Sequence, residues 1–234
     1  MNAPFFYHPM LAGEPESCFL PEDSSKHISQ VLRMKTGERL HLTDGNGLLA
    51  VAEILDAHKK KTSIRILEKQ QIPSPDNKRI IAISPVKNTA RFEWFLEKST
   101  EIGIHQIIPL ICQRTEKQHL RAERLQNILV SAMLQSQQCH LPILDEPTSL
   151  VKLLDSNLPD AKYIAHCLQD GNRKSFRDVV HSTYASIILI GPEGDFTSDE
   201  IHQAIQSGFT PVTLGEQRLR TETAGVVAAA LGMR

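Results

Sequence analysis

No stretch of this chain reaches the roughly 18 consecutive apolar residues that a membrane-spanning helix needs, so a helical membrane protein is excluded at the outset. Cysteine is scarce. Cys18, Cys112, Cys139 and Cys167 lie far apart and form no CxxC pair, which argues against a disulfide framework and for a reduced, cytoplasmic setting. The ten histidines fall at no metal-ligand spacing and no HExxH occurs, so no metal is expected. There is no GxGxxG turn, no GxxxxGK[ST] loop and no GxSxG elbow, which argues against dinucleotide binding, nucleoside triphosphatases and serine hydrolases. The start, Met1 to Tyr7, lacks the basic segment and long apolar core of a signal peptide. A net charge of -1 rules out a broadly basic nucleic-acid binder but leaves room for a local basic face. What remains is a globular composition, 41% hydrophobic and 23% charged over 234 residues, enough for one large domain or two modest ones.

Residues 1–72 read as β-rich. Arg39–Thr43 and Leu48–Ile54 flank Asp44-Gly45-Asn46-Gly47, a strong hairpin signal, and Ser63–Leu67 alternates as a further strand. A short helix is expected between Glu22 and Met34, with Ile28, Val31 and Leu32 facing inward. Ile72-Pro73-Ser74-Pro75 reads as a linker, and the domain boundary is placed there. Residues 73–234 then alternate strand and helix. Arg79–Ile83, Ile107–Ile111, Tyr163–His166, Ile187–Ile190 and Pro211–Leu214 are strands. Arg91–Ile102, stopped by Gly103, Arg121–Gln138 and the stretch opened by the capping box Thr197-Ser198-Asp199-Glu200 are helices. This pattern predicts an α/β domain with a largely parallel sheet.

Two turns stand out. The first, Gly191-Pro192-Glu193-Gly194-Asp195-Phe196, breaks the apolar run of a buried strand. The second, Leu214 to Ala224, passes through Gly215 into a helix that is almost wholly Ala, Val and Leu and is therefore expected to be buried. Buried loop backbone needs partners, and a bound ligand supplies them. Two glycine-bearing loops at consecutive strand ends make a candidate small-molecule site.

Ile190-Gly191-Pro192-Glu193-Gly194 together with Leu214-Gly215 and Leu219-Arg220-Thr221-Glu222-Thr223-Ala224 resembles the paired signature of SPOUT-class RNA methyltransferases, and more narrowly of the RsmE family. His27–Met34, Glu97–Gly103 and Gln135-Ser136 match the same family in order, so the resemblance spans nearly the whole chain. Two departures are visible. Asp195 stands where a second glycine is common, and the N-terminus lacks an Arg often found there.

The resemblance implies a PUA-like β-barrel over residues 1–72 and a SPOUT α/β domain with a deep trefoil knot over residues 73–234. It implies a homodimer, S-adenosylmethionine (SAM) as methyl donor, and N3 of a uridine in 16S ribosomal RNA of the small subunit as target. The SAM-binding positions would be Ile190, Gly191, Pro192, Glu193, Gly194, Leu214, Gly215, Leu219, Arg220, Thr221, Thr223 and Ala224. Uracil N3 carries a proton at neutral pH, so the site needs a proton acceptor or a cation that stabilises the uracil anion. Arg220 is the candidate cation. Glu222 would orient it or take the proton through water. A plainer role for Glu222 is to favour the helix start through the dipole. Arg33, Lys35 and Arg114 are the candidate RNA contacts. Two rival readings are the same fold acting on another RNA, and a non-catalytic RNA-binding assembly factor.

Overall fold

The computed structural model describes residues 3–168, 173–180 and 184–232. These divide into two compact units. One comprises residues 1–74 with 133–141, the other residues 75–132 with 142–234.

The first unit is a five-stranded mixed sheet. Its strands are β1 (Phe5–Tyr7), β2 (Ser17–Phe19), β3 (Arg39–Thr43), β4 (Leu48–Asp56) and β5 (Ser63–Gln71), in the spatial order β1-β3-β4-β5-β2. The expected hairpin is present, with Arg39 opposite Glu53 and Thr43 opposite Leu49. Asp44 accepts the Asn46 and Leu48 N–H groups and so shapes the turn. Along β4, Ala50, Ala52 and Ile54 point inward and join Leu40, Leu42, Ile64 and Ile66 in one core. Register shifts at Val51/Ala52 and Ile54/Asp56 curl the sheet. Residues 133–141 join this unit from far along the chain: Thr43 Oγ1 donates to Cys139 O, and Leu141 N–H to Gly45 O.

The short helix expected between Glu22 and Met34 is present but changes type. An α-turn, α1 (Glu22–Lys26), passes into a π-turn over His27–Val31. Ile28 is fully buried, but Val31 is 67% and Leu32 41% exposed, against the expected inward placement. The wider turn inserts about one extra residue per revolution, so the 3.6-residue period that aligned these three positions no longer applies.

The second unit is a parallel sheet of β6 (Arg79–Ile83), β7 (Gln106–Ile111), β8 (Ile143–Leu144), β9 (Thr148–Ser149), β10 (Ala161–Ala165), β11 (Lys174–Ser175), β12 (Ser186–Ile190) and β13 (Thr210–Thr213). The order is β11-β13-β10-β12-β6-β7-β8, with β9 also on β7. Its helices are α2 (Thr89–Ile102), α3 (Ala122–Gln135), α4 (Leu150–Leu154), α5 (Phe176–Val179), α6 (Ser198–Gln206) and α7 (Thr221–Gly232). Gly103 ends α2 in a left-handed conformation, φ 97°, and Thr197 with Glu200 closes the capping box of α6, both as expected. Leu150, Leu153, Ile201 and Ala204 cover one face of the sheet. On the other, α2 and α7 cross where a Cβ on Gly225 would lie 2.6 Å from the Phe95 ring and 2.7 Å from Ile83, so only glycine permits that approach. The expectation of a wholly buried α7 holds on one face only. Gly225, Ala228 and Ala229 are buried, while Val226, Val227 and Leu231 are half-buried and Ala230 is exposed. No helix among the described residues is long and apolar enough to cross a membrane.

Candidate active site at the carboxyl edge of the parallel sheet

Because every strand pairing in this sheet is parallel, the loops that follow β6, β7, β10, β12 and β13 all leave from one edge. Strand order makes the loops after β13, β10, β12 and β6 neighbours. The crevice outside the carboxyl ends of such strands is where ligands bind in open α/β sheets.

The two loops singled out in the sequence meet there. Thr221 is buried at the start of α7, and its hydroxyl donates to Gly191 O at 3.0 Å. Ile190, Gly191 and Pro192 are buried, Leu214 and Leu219 half-buried, and Gly215 and Arg220 exposed. Gly191 and Gly194 do not adopt positive φ. Packing explains them instead. A Cβ on Gly191 would sit 3.0 Å from the Phe196 ring, and one on Gly194 3.2 Å from Arg114 Cδ. Gly215, at φ 149°, is the position that requires glycine for its backbone, and a Cβ there would meet no protein atom within 4 Å.

The left-handed turn in the first loop falls on Asp195, φ 62°, a conformation Asp tolerates better than most residues. Its carboxylate does what glycine cannot. Oδ2 accepts the Cys167 N–H at 2.7 Å and Oδ1 accepts the Phe196 N–H at 2.8 Å, which ties the loop after β10 to the loop after β12. Burial pushes the Cys167 thiol up, Asp195 adds to the rise, and Arg218 and Arg173 pull it back.

Further ties hold the remaining loops. Glu193 Oε1 accepts the Lys87 N–H after β6. Glu200 accepts the Gln113 N–H after β7. Arg114, expected as an RNA contact, donates to Gly194 O at 2.6 Å from an otherwise exposed side chain. Arg33 and Lys35 lie apart from this edge in sequence and unit, exposed just after the π-turn of the first unit, where Arg33 adopts φ 54°. Glu222 is only 6% exposed, and its charge partner is Arg91 of α2 at 3.7 Å rather than Arg220. Arg220 is exposed, with no side-chain partner among the described residues. Thr223 and Ala224 are half-buried in the first turn of α7, where Ala224 N–H donates to Arg220 O. Sequence reasoning missed Arg91 and the hooking role of Asp195. Arg91 reads only as a polar position on an amphipathic helix, whereas Asp195 was already visible as a departure from glycine.

A sequence profile of the RNA methyltransferase domain matches residues 73–233, and one of the RNA methyltransferase PUA domain matches residues 20–67. Among curated relatives, the ribosomal RNA small subunit methyltransferase E of Synechocystis sp. is 30% identical over 87% of this chain and 68% of its own. That of Buchnera aphidicola is 29% identical over 90% and 85%. A solved chain from Porphyromonas gingivalis superposes with a TM-score of 0.88 at 38% identity, covering 97% of this chain and 95% of its own. The ribosomal RNA small subunit methyltransferase E of Neisseria gonorrhoeae, solved bound to S-adenosyl methionine, gives 0.84 at 29% over 98% and 96%. With loops, fold and profile in agreement from end to end, the chain belongs to the ribosomal RNA small subunit methyltransferase E (RsmE) family, a PUA domain joined to an RNA methyltransferase domain.

Proposed function

We propose that this chain methylates N3 of a uridine in 16S ribosomal RNA with SAM as donor. The observation that carries the reading is the junction of the 190–196 and 214–224 loops at the carboxyl edge, closed by Thr221 on Gly191. The residues fit the donor. Main-chain groups of Ile190 to Gly194 and of Leu214, Gly215, Leu219, Arg220, Thr221, Thr223 and Ala224 would read the adenine and hold the sulfonium-bearing chain, a role supported by the burial of Ile190, Gly191 and Pro192 and the half-burial of Leu214 and Leu219. Bound SAM supplies an electrophilic methyl group. The chain's own part is positioning, since in-line displacement rewards alignment above all. Arg220, whose side chain has no partner among the described residues, offers its charge to a uracil oxygen as N3 loses its proton to water. Glu222 fixes the start of α7 through Arg91 and keeps Arg220 at the mouth of the site.

In this reading the 1–72 domain holds RNA through Arg33 and Lys35, and Arg114 contacts it from the loop after β7 while bracing Gly194. The 73–234 domain carries the trefoil knot. Insertion of β12 between the earlier strands β6 and β10 supports that threading. The half-exposed apolar side of α7 (Val226, Val227, Leu231) supports a homodimer closed over it. The enzyme acts in the cytoplasm on the small ribosomal subunit or its RNA, and no metal takes part in the transfer.

The test is mass spectrometry of ribosomal RNA from cells with and without the chain. Loss of 3-methyluridine from 16S RNA alone is expected. Loss of another modified nucleoside would make the chain a methyltransferase of different target, and unchanged RNA with impaired subunit assembly would make it a scaffold.

A further inference from the structure

The first unit holds a cluster that the methyl-transfer reading does not use. β1 and β2 are the two edge strands of the five-stranded sheet. His8 follows β1, Cys18 lies on β2, and Glu14 sits on the segment that joins them. Their ligand atoms, one each of imidazole nitrogen, carboxylate oxygen and thiol sulfur, all fall within 4.8 Å of one another. His8 is 5% exposed and Cys18 is buried, so the seam between the edges is where this chemistry collects.

Each donor is held before any ligand arrives. His8 N–H donates to Thr43 O, and Leu11 N–H returns to His8 O. Cys18 pairs with Ile64 across β2 and β5. Lys69 Nζ donates to Leu11 O and Glu14 O and so pins the connecting segment. Both His8 ring nitrogens are buried without a hydrogen-bond partner among the described residues. A Glu14 carboxylate oxygen lies 3.4 Å from Nε2. Buried ring nitrogens left without hydrogen bonds are costly in a folded interior. A tetrahedral ion with bonds of about 2.0–2.3 Å needs donors roughly 3.4–3.7 Å apart. The His8–Glu14 pair already meets this, and the thiol has at most about an ångström to move.

We propose that His8, Glu14 and Cys18 form a zinc-binding site that joins the two edge strands of the N-terminal sheet. Imidazole, carboxylate and thiolate together are the donor set of a borderline-soft divalent ion. The Glu14 side chain is 25% exposed, which gives the ion its entry path and leaves a fourth position to water. Binding releases the Cys18 thiol proton to solvent. The site lies among first-unit residues only and asks nothing of the methyl donor. The spacing His8-x5-Glu14-x3-Cys18 carries no motif because its ends belong to opposite edges of a sheet.

The experiment uses the full chain after chelator treatment, titrated with zinc chloride by calorimetry and with cobalt(II) chloride by absorbance. One equivalent is expected, with a near-ultraviolet thiolate-to-cobalt band and a zinc-dependent rise in melting temperature. Cys18→Ser should remove the band and the thermal shift. Glu14→Gln, at a partly exposed position that does not threaten folding, should weaken zinc at least about tenfold. Cys167→Ser, at the exposed thiol, should change neither. Absence of stoichiometric uptake would overturn the proposal. So would a band that survives Cys18→Ser or disappears with Cys167→Ser.

Discussion

Asp195 offers the sharpest test of how the site is built. It occupies a left-handed turn at φ 62° and accepts two backbone N–H groups, from Cys167 at 2.7 Å and Phe196 at 2.8 Å. Three substitutions separate these contributions. Asp195→Gly keeps the backbone conformation and removes both acceptors. Asp195→Ala removes both and adds the left-handed cost of about 1 kcal/mol. Asp195→Asn keeps one acceptor oxygen and most of the conformational tolerance. Charge-assisted bonds contribute more than neutral ones, but Cys167 is exposed and Asp195 half-buried, so about 1 kcal/mol each is the reasonable figure. The glycine variant therefore loses about 2 kcal/mol of loop order and the alanine variant about 3. Donor binding must then restore that order, so SAM affinity should fall about thirtyfold for Gly, more for Ala and only a few-fold for Asn. Calorimetry with SAM reads the affinities, and a urea melt checks that the sheet itself is intact. If the glycine variant binds SAM as tightly as the parent, the hook is irrelevant and the argument fails.

Four other outcomes follow from the same geometry. Thr221→Val should cost about 1–2 kcal/mol, by leaving Gly191 O without its buried donor, and should weaken SAM binding in proportion; an unaltered urea midpoint would contradict this. Gly225→Leu should destabilise the second unit by about 3 kcal/mol or more, because its side chain enters the Phe95 ring at the α2–α7 crossing, and thermal melting measures it. Arg220→Ala should lower kcat at least about a hundredfold with SAM affinity within a few-fold of the parent, and equal losses in both would recast the Arg220 side chain, and not its main chain alone, as a donor ligand. Burial, with Glu200, pushes the Cys112 thiol up to about 12 from an ordinary 9.0. The unfolded chain then ionises first, so this contribution is intact below pH 9 and fades as pH rises toward 12; urea midpoints should fall across that window more steeply for the parent than for Cys112→Ala.

Much of the second unit is legible in the sequence because its signals are local. Uninterrupted apolar runs mark strands covered on both faces, Thr197 with Glu200 marks a helix start, and Gly103 marks an end. The first unit is less legible where two rules compete. Ile28, Val31 and Leu32 align only at 3.6 residues per turn, and the chain leaves that period at His27. The return of residues 133–141 to the N-terminal unit has no local signature either, since it rests on long-range bonds such as Thr43 to Cys139. Within the site, the glycines are legible as glycines but not by cause. Two are small because Phe196 and Arg114 pack on them, and only Gly215 is shaped by its own backbone.

Arg220 and Glu222, two residues apart and oppositely charged, read in the sequence as one cooperating pair. The fold separates them. The first residues of α7 rotate about 100° each, so two positions on, the side chain has swung from the mouth of the site to the interior. The Arg220 side chain is exposed with no partner among the described residues, and Glu222 is buried beside Arg91 of α2. A cation that must reach the reacting base is best left unpaired in the protein, and a charge that anchors a helix start must be paired. Under the proposed function, the cation acts on the substrate and the carboxylate, paired with Arg91, holds the helix that presents it. Glu222→Gln should then mirror Arg91→Gln in stability and turnover, whereas Arg220→Ala should resemble neither.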